Sequence, residues 1–261
     1  MSDAQSAIAS LSAAIDGAAA WADAQVAVKS TVRDANEPAR ERKARFDKRL
    51  SDILRKHFGT QREAVNQYLQ MGGRLPVPEY LLNDPVAQAE VTKLLIEAAR
   101  DGISEVVNQT GLGFDNTLTN KDAARWALES AGRLNKDVDA TTLDVVQSAV
   151  SNFADKPGFT LGDVMDQLPF DDMRAQRIAI TEITRAYAES NQIAGEQLEK
   201  EFGDVPVVKV WFTNNDDRVC PKCFPLDGKE VAIKDEFSSG ISNPPAHTSC
   251  RCWTTTTTKS T

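Results

Sequence analysis

The four cysteines of this chain all lie in its last fifth, in two short motifs separated by a loop: Cys220-Pro-Lys-Cys223 and His247-Thr-Ser-Cys250-Arg-Cys252. No other feature constrains the fold as much. Two residues between ligands let a tight backbone turn aim both side chains at one point, and two such turns supply the corners of a tetrahedral zinc site. The competing readings are two disulfides or four buried thiols. Disulfides are the weaker reading, because no secretory signal is recognisable at the amino terminus and cytosolic thiols stay reduced.

Five candidate ligands face four positions. Cys220 and Cys223 form one pair. The second pair is His247 with Cys250, which repeats the two-residue spacing, or Cys250 with Cys252, since alternate residues of a strand share a face. The preferred set is Cys220, Cys223, His247 and Cys250, with Cys252 as its nearest substitute. Four protein ligands close the tetrahedron and leave no position for a reacting water, so the zinc is read as structural. Zinc deaminases also use a paired-cysteine turn, but they need an upstream His-x-Glu. The one other histidine, His57, precedes Phe58 and Gly59 and is read as an ordinary surface or partly packed helix residue.

The residues around the motifs read as a small sheet. Val208, Val210 and Phe212 alternate with Lys209, Trp211 and Thr213, a strand pattern with two faces. Asn214 to Asp217 form a turn cluster leading into Cys220. Glu230 to Ile233 is a second short strand, and Arg251 to Thr258 a third. A tail of this size holds little core alone, and a metal contributes folding free energy directly.

Trp211-Phe-Thr, Asp217-Arg218-Val-Cys220-Pro-x-Cys223, Leu226-Asp-Gly228 and Pro244-Pro-Ala-His247-x-x-Cys250-Arg-Cys252 together resemble the carboxy-terminal signature of the Mu F-type phage head morphogenesis, or minor capsid, proteins. Arg177 to Tyr187, with its Thr181-Glu182 followed by Arg185-Ala186, resembles the family's helix. The resemblance runs over about residues 115–253, and residues 1–110 carry no matching motif. It implies a virion protein of the capsid interior, near the portal, present in the host cytoplasm during assembly. Its implied partners are the portal protein and the scaffold or major capsid protein, with packaged DNA as a further contact. It implies neither a membrane nor a small-molecule substrate.

Composition agrees with a soluble globular chain: 41% hydrophobic, 26% charged, net charge −8. Charged residues interrupt every apolar stretch before a membrane could be spanned. The acidic balance argues against a protein coated for duplex DNA, yet eleven basic residues face six acidic ones between Lys29 and Glu63. Helix periodicity is expected over 6–33, then from Pro38 onward with Phe46, Leu50, Ile53, Leu54 and Phe58 on one side. The basic residues on the outer side, Arg42, Lys43, Arg49 and Lys56 among them, read as a solvated face or as a contact for an acidic partner or DNA phosphates. An apolar stripe beside a charged one suits a protein interface.

Met71-Gly72-Gly73, Pro76, Pro78 and Pro85 mark the clearest linker. Helices are expected over 86–108, 120–134 and 142–153. Thr160 with Asp163 reads as a capping box for a short helix, and Asp171 or Asp172 as the cap of a long one ending near Gly203. Within that helix Glu182 and Arg185 are placed to pair, or to reach Asp217 and Arg218 and dock the sheet. The expected class is mainly α with a small C-terminal zinc-stapled antiparallel β module (α+β). The expected organisation is an N-terminal helical region 1–75, a helical bundle 86–204 and a zinc-binding β module 205–261.

Two function classes follow. One is a non-enzymatic virion protein whose zinc tail is a rigid assembly module. The other is a zinc-containing nucleic-acid-binding protein or a toxin-like transferase. The second is weaker: the tail from Val205 has seven basic against six acidic residues, Glu199-Lys-Glu201 is an ordinary helix-surface pattern, and no Ser-His-Asp order or phosphate loop is present.

Overall fold

Ala123, Ala127 and Ala131 recur every fourth residue of one helix and are completely buried. Small side chains at that spacing let a neighbouring helix approach closely along a single seam. The computed structural model describes residues 37–73, 75–112, 116–155, 160–203, 205–238 and 240–258. The helix expected over 6–33 lies outside them. The chain divides into two compact units, residues 1–41 and 42–261. Of the first, only the opening of α1 is described.

The elements are α1 (Glu37–Gln70), a 3-10 turn (Glu79–Leu81), α2 (Pro85–Thr110), α3 (Asn116–Asp155), α4 (Leu161–Gln167), α5 (Asp172–Glu201), β1 (Val207–Phe212), a 3-10 turn (Phe224–Leu226), β2 (Glu230–Ala232) and β3 (Trp253–Thr258). The helix ends follow local chemistry. Asp84 accepts from Val86 N and Ala87 N ahead of α2, which ends at Gly111 with φ +65°. Thr160 and Asp163 form a reciprocal capping box on α4. Asp171 caps α5 by accepting from Arg174 N.

Helix α2 packs against α3 and α5. Their shared core holds Leu50, Leu54 and Phe58 of α1, Leu94, Leu95 and Ile103 of α2, and Ile183, Ala186 and Leu198 of α5. A second core joins Val65, Val77 and Leu82 to Val146, Ala149 and Val164. The proline-rich stretch read as a linker therefore sends two side chains into a core.

Three expectations change. The segments 120–134 and 142–153 belong to one continuous helix. No glycine or proline lies between Asn135 and Thr141, and Arg174 binds the carbonyl of Val138 and the hydroxyl of Thr142, holding the chain helical. The apolar stripe of α1, read as half of an interface, is occupied by the chain's own core. Helix α5 ends beside Gly203 as expected, with its cap at Phe202, whose N–H donates to Leu198 O, but Gly203 takes no left-handed conformation.

The sheet is antiparallel in the order β2-β1-β3. Val207 pairs with Thr258 and Phe212 with Trp253. All six residues of β1 are buried, Lys209 included, so both faces of the strand are covered. Lys209 Nζ donates to Gln192 Oε1 of α5 at 3.0 Å, which leaves the charge a polar partner in the interior. Among the described residues no helix is long and apolar enough to cross a membrane.

Candidate metal centre

Both cysteine motifs fold as tight turns. Cys223 N and Phe224 N donate to Cys220 O, each at 3.0 Å, and Cys250 N donates to His247 O at 3.2 Å. Ser249, inside the second turn, takes φ +62°. These turns bring all five candidate ligands together. Cys220, Cys223 and His247 form one group whose ligand atoms lie within 4.8 Å of one another, and Cys223, Cys250 and Cys252 form another. Cys223 belongs to both. A small void of about 20 Å³ is lined by Cys220, Cys223, His247 and Cys252, together with Arg218 and Arg251.

Single pairs within each group have spacings that suit a metal ion, although the four preferred ligands do not form one group. Cys223 Sγ and Cys250 Sγ are 3.8 Å apart, and bonds of ~2.3 Å to a central zinc imply sulfur pairs about 3.8 Å apart. His247 Nε2 sits 3.0 Å from Cys220 Sγ and 3.4 Å from Cys223 Sγ. His247 Nδ1 lies 2.8 Å from the carbonyl of Thr248. Donation there fixes the tautomer and turns the Nε2 lone pair toward the sulfurs, the usual arrangement behind a ligating imidazole.

Electrostatics point the same way. Burial, together with the charge of Cys250, pushes the Cys223 thiol up to about 12. A hydrogen bond from Cys252 leads the effects that bring Cys250 down to about 5, and the same pairing, with burial, pushes Cys252 up. Burial opposes ionisation of Cys220, but N–H groups of Cys223 and Lys222 outweigh it and lower the thiol. Several sulfurs this close cannot all ionise unaided, and a bound cation removes that conflict.

Helix α5 carries the module through one face. Ser249 N donates to Thr181 Oγ1 at 2.9 Å, and Thr184 Oγ1 donates to Cys250 O at 3.1 Å. Asn191 Nδ2 donates to Thr254 O at 2.8 Å, and Gln192 Nε2 donates to Ile233 O at 2.7 Å. Thr181, Thr184, Ala188, Asn191 and Gly195 recur at spacings of three and four, so they form one stripe. At Gly195 a Cβ would meet Ile233 Cδ1 at 2.5 Å, so only glycine permits this approach of helix to sheet. Asp216, ahead of Cys220, receives both guanidinium nitrogens of Arg251, at 2.7 and 2.8 Å. That bidentate pair clamps one cysteine turn to the other.

The residues read as coupling the helix to the sheet are placed differently. Glu182 is buried and pairs with Arg185 at 2.7 Å, and burial raises its carboxyl despite that pairing. Arg218 lies 3.7 Å from Asp216, and Asp217 is exposed. The coupling bonds come from threonine and amide side chains, for which the sequence offered one signal: polar residues inside an apolar stripe.

Of the basic residues on α1, Arg42 binds Asp101 and Glu105, Lys43 is buried against Asp47, and Arg49 binds Glu97. Lys56 is exposed. His57 is buried between Asp84 and Asp139, at 3.5 and 3.3 Å. Of the pair Glu199 and Glu201, the first binds Lys234 and the second accepts from Gln197, so both are committed to helix-surface contacts.

Residues 157–255 match the family described as Phage Mu protein F like protein. No curated protein and no solved structure matches the chain. The matched stretch includes α4, α5 and the cysteine-bearing sheet through Thr255, which are the helix and the module that the bonds above hold together. Over residues 157–255, then, the chain is similar to the Phage Mu protein F like family.

Proposed function

We propose that the chain is a non-enzymatic structural protein of a phage head, acting in procapsid assembly near the portal. The observation that supports this most is the extent of the family match, which includes both the cysteine module and the helix that seats it. In this reading one structural zinc, held by Cys220, Cys223, His247 and Cys250, with Cys252 as the spare cysteine, fixes the shape of a docking surface. Three thiolates and one imidazole leave no position for a reacting water.

The partners proposed are the portal protein and the scaffold or major capsid protein, with contact to packaged DNA as a secondary role. The expected location is the capsid interior, after assembly in the host cytoplasm. The proposed folding units are 1–75, 86–204 and 205–261, the last depending on its metal. Cryo-microscopy of assembled particles tests the function. Density for this chain beside the portal supports it. Particles of normal composition and yield when the chain is deleted contradict it.

A further inference from the structure

A groove of about 570 Å³ lies between the 3-10 turn at Glu79–Leu81 and the middle of α3, a volume typical of sites that enclose a ligand group. Its floor includes Leu82, which is buried, and Leu143. Tyr80 lines it with 71% of its surface exposed. The rim carries Glu79, Asp139 and Asp144 against Lys136 alone, a net charge of −2 (three acidic, one basic). Among the described residues Glu79, Lys136 and Asp144 make no ion pair.

The groove is braced from behind. Gln61 Nε2 donates to Asp139 Oδ1 at 2.8 Å and to Leu82 O at 2.7 Å, and His57 Nε2 lies 3.3 Å from the same carboxylate. Gln61 is 1% exposed, and its Oε1 has no partner among the described residues. A carboxylate fixed in this way beside an open aromatic face is prepared for an incoming cation, because little has to reorganise on binding.

The geometry points to a docking groove for a segment of a partner protein that carries a Lys or Arg side chain next to an apolar one. The cationic head meets Asp139, Glu79 and Asp144, its stem lies along Tyr80, and the apolar neighbour covers Leu143. A phosphate backbone is repelled by the same rim, so charge complementarity selects a protein occupant over a nucleic acid. The inference deepens the capsid reading by giving the chemistry of one partner. Its test does not depend on particles, so the two can fail separately.

The test is fluorescence anisotropy on the full chain with a labelled peptide alternating Leu and Arg. The comparison probes are the same peptide with Glu for Arg, and a short DNA duplex. Glu79→Lys with Asp144→Lys, and separately Tyr80→Ala, change exposed side chains, and far-UV circular dichroism checks that each variant folds. Glu90→Lys with Glu129→Lys makes the same change in charge at exposed positions outside the groove. The expected result is binding of the basic peptide alone, weakened about tenfold or more by either groove variant and unchanged by the control pair. Equal weakening by the control pair, no effect of Tyr80→Ala, or tighter binding of the duplex overturns the proposal.

Discussion

Thr184 Oγ1 donates to the carbonyl of Cys250 at 3.1 Å, and the threonine is 1% exposed. A residue of the long helix thus fixes the backbone of a metal-ligand candidate in the sheet. Ser249 N, one residue earlier, is held by Thr181 one turn up the same helix. The second cysteine turn is therefore positioned by α5 as well as by its own chain.

Thr184→Val keeps the shape and leaves that carbonyl buried without its donor. The expected cost is about 1–3 kcal/mol of stability, with weakened metal retention, while Thr184→Ser stays close to wild type. Chemical denaturation of the three proteins checks this. Equal stability of the valine variant would show that the bond is incidental.

Gly195 is where the helix comes closest to the sheet. Gly195→Ala forces Ile233 and Thr256 aside, for an expected loss of about 1–3 kcal/mol, although alanine favours helix elsewhere. Gly132, also in a helix, has nothing within 4 Å of an added Cβ, so Gly132→Ala is expected to be neutral or slightly stabilising. Thermal melts of both variants separate close packing from helix propensity.

Asp216 gives a dependence on pH. The hydrogen bonds from Arg251 hold its carboxyl at about 2, below the ~3.9 of an unfolded chain. A depressed acid stabilises the fold at pH above the unfolded value, and that contribution is lost as pH falls through the folded value. Asp216→Asn is therefore expected to be less stable than wild type at neutral pH, with the difference shrinking as pH drops from about 4 toward 2. Denaturation across that range checks the sign. A difference that grows on acidification would contradict the assignment.

The cysteine module was legible because its information is local: two spacings, each closed by its own backbone turn. The capping box of Thr160 and Asp163 was legible for the same reason. The continuity of α3 was not, since Asn135 to Thr141 is mostly polar and Arg174, which bonds it, comes from another element. The burial of Lys209 was hidden likewise, because its partner Gln192 lies on a different helix. The pairing of Arg42 and Arg49 of α1 was not legible either. A positive stripe looks like an external contact until Asp101, Glu105 and Glu97 of α2 are placed opposite it.

The ligand set is separable by substitution. Cys250→Ser is expected to lose most bound zinc and Cys252→Ser to retain it, because a closed four-ligand site tolerates loss of a bystander but not of a ligand. Metal loss in Cys252→Ser with none in His247→Ala would exchange the two roles.

The most direct test of the account is the metal content of the purified full chain, measured by inductively coupled plasma mass spectrometry alongside a thiol count. About one zinc per chain is expected, with its removal by chelator melting the sheet. Absence of any bound metal in protein purified without chelator, together with two disulfides among the four cysteines, would contradict it.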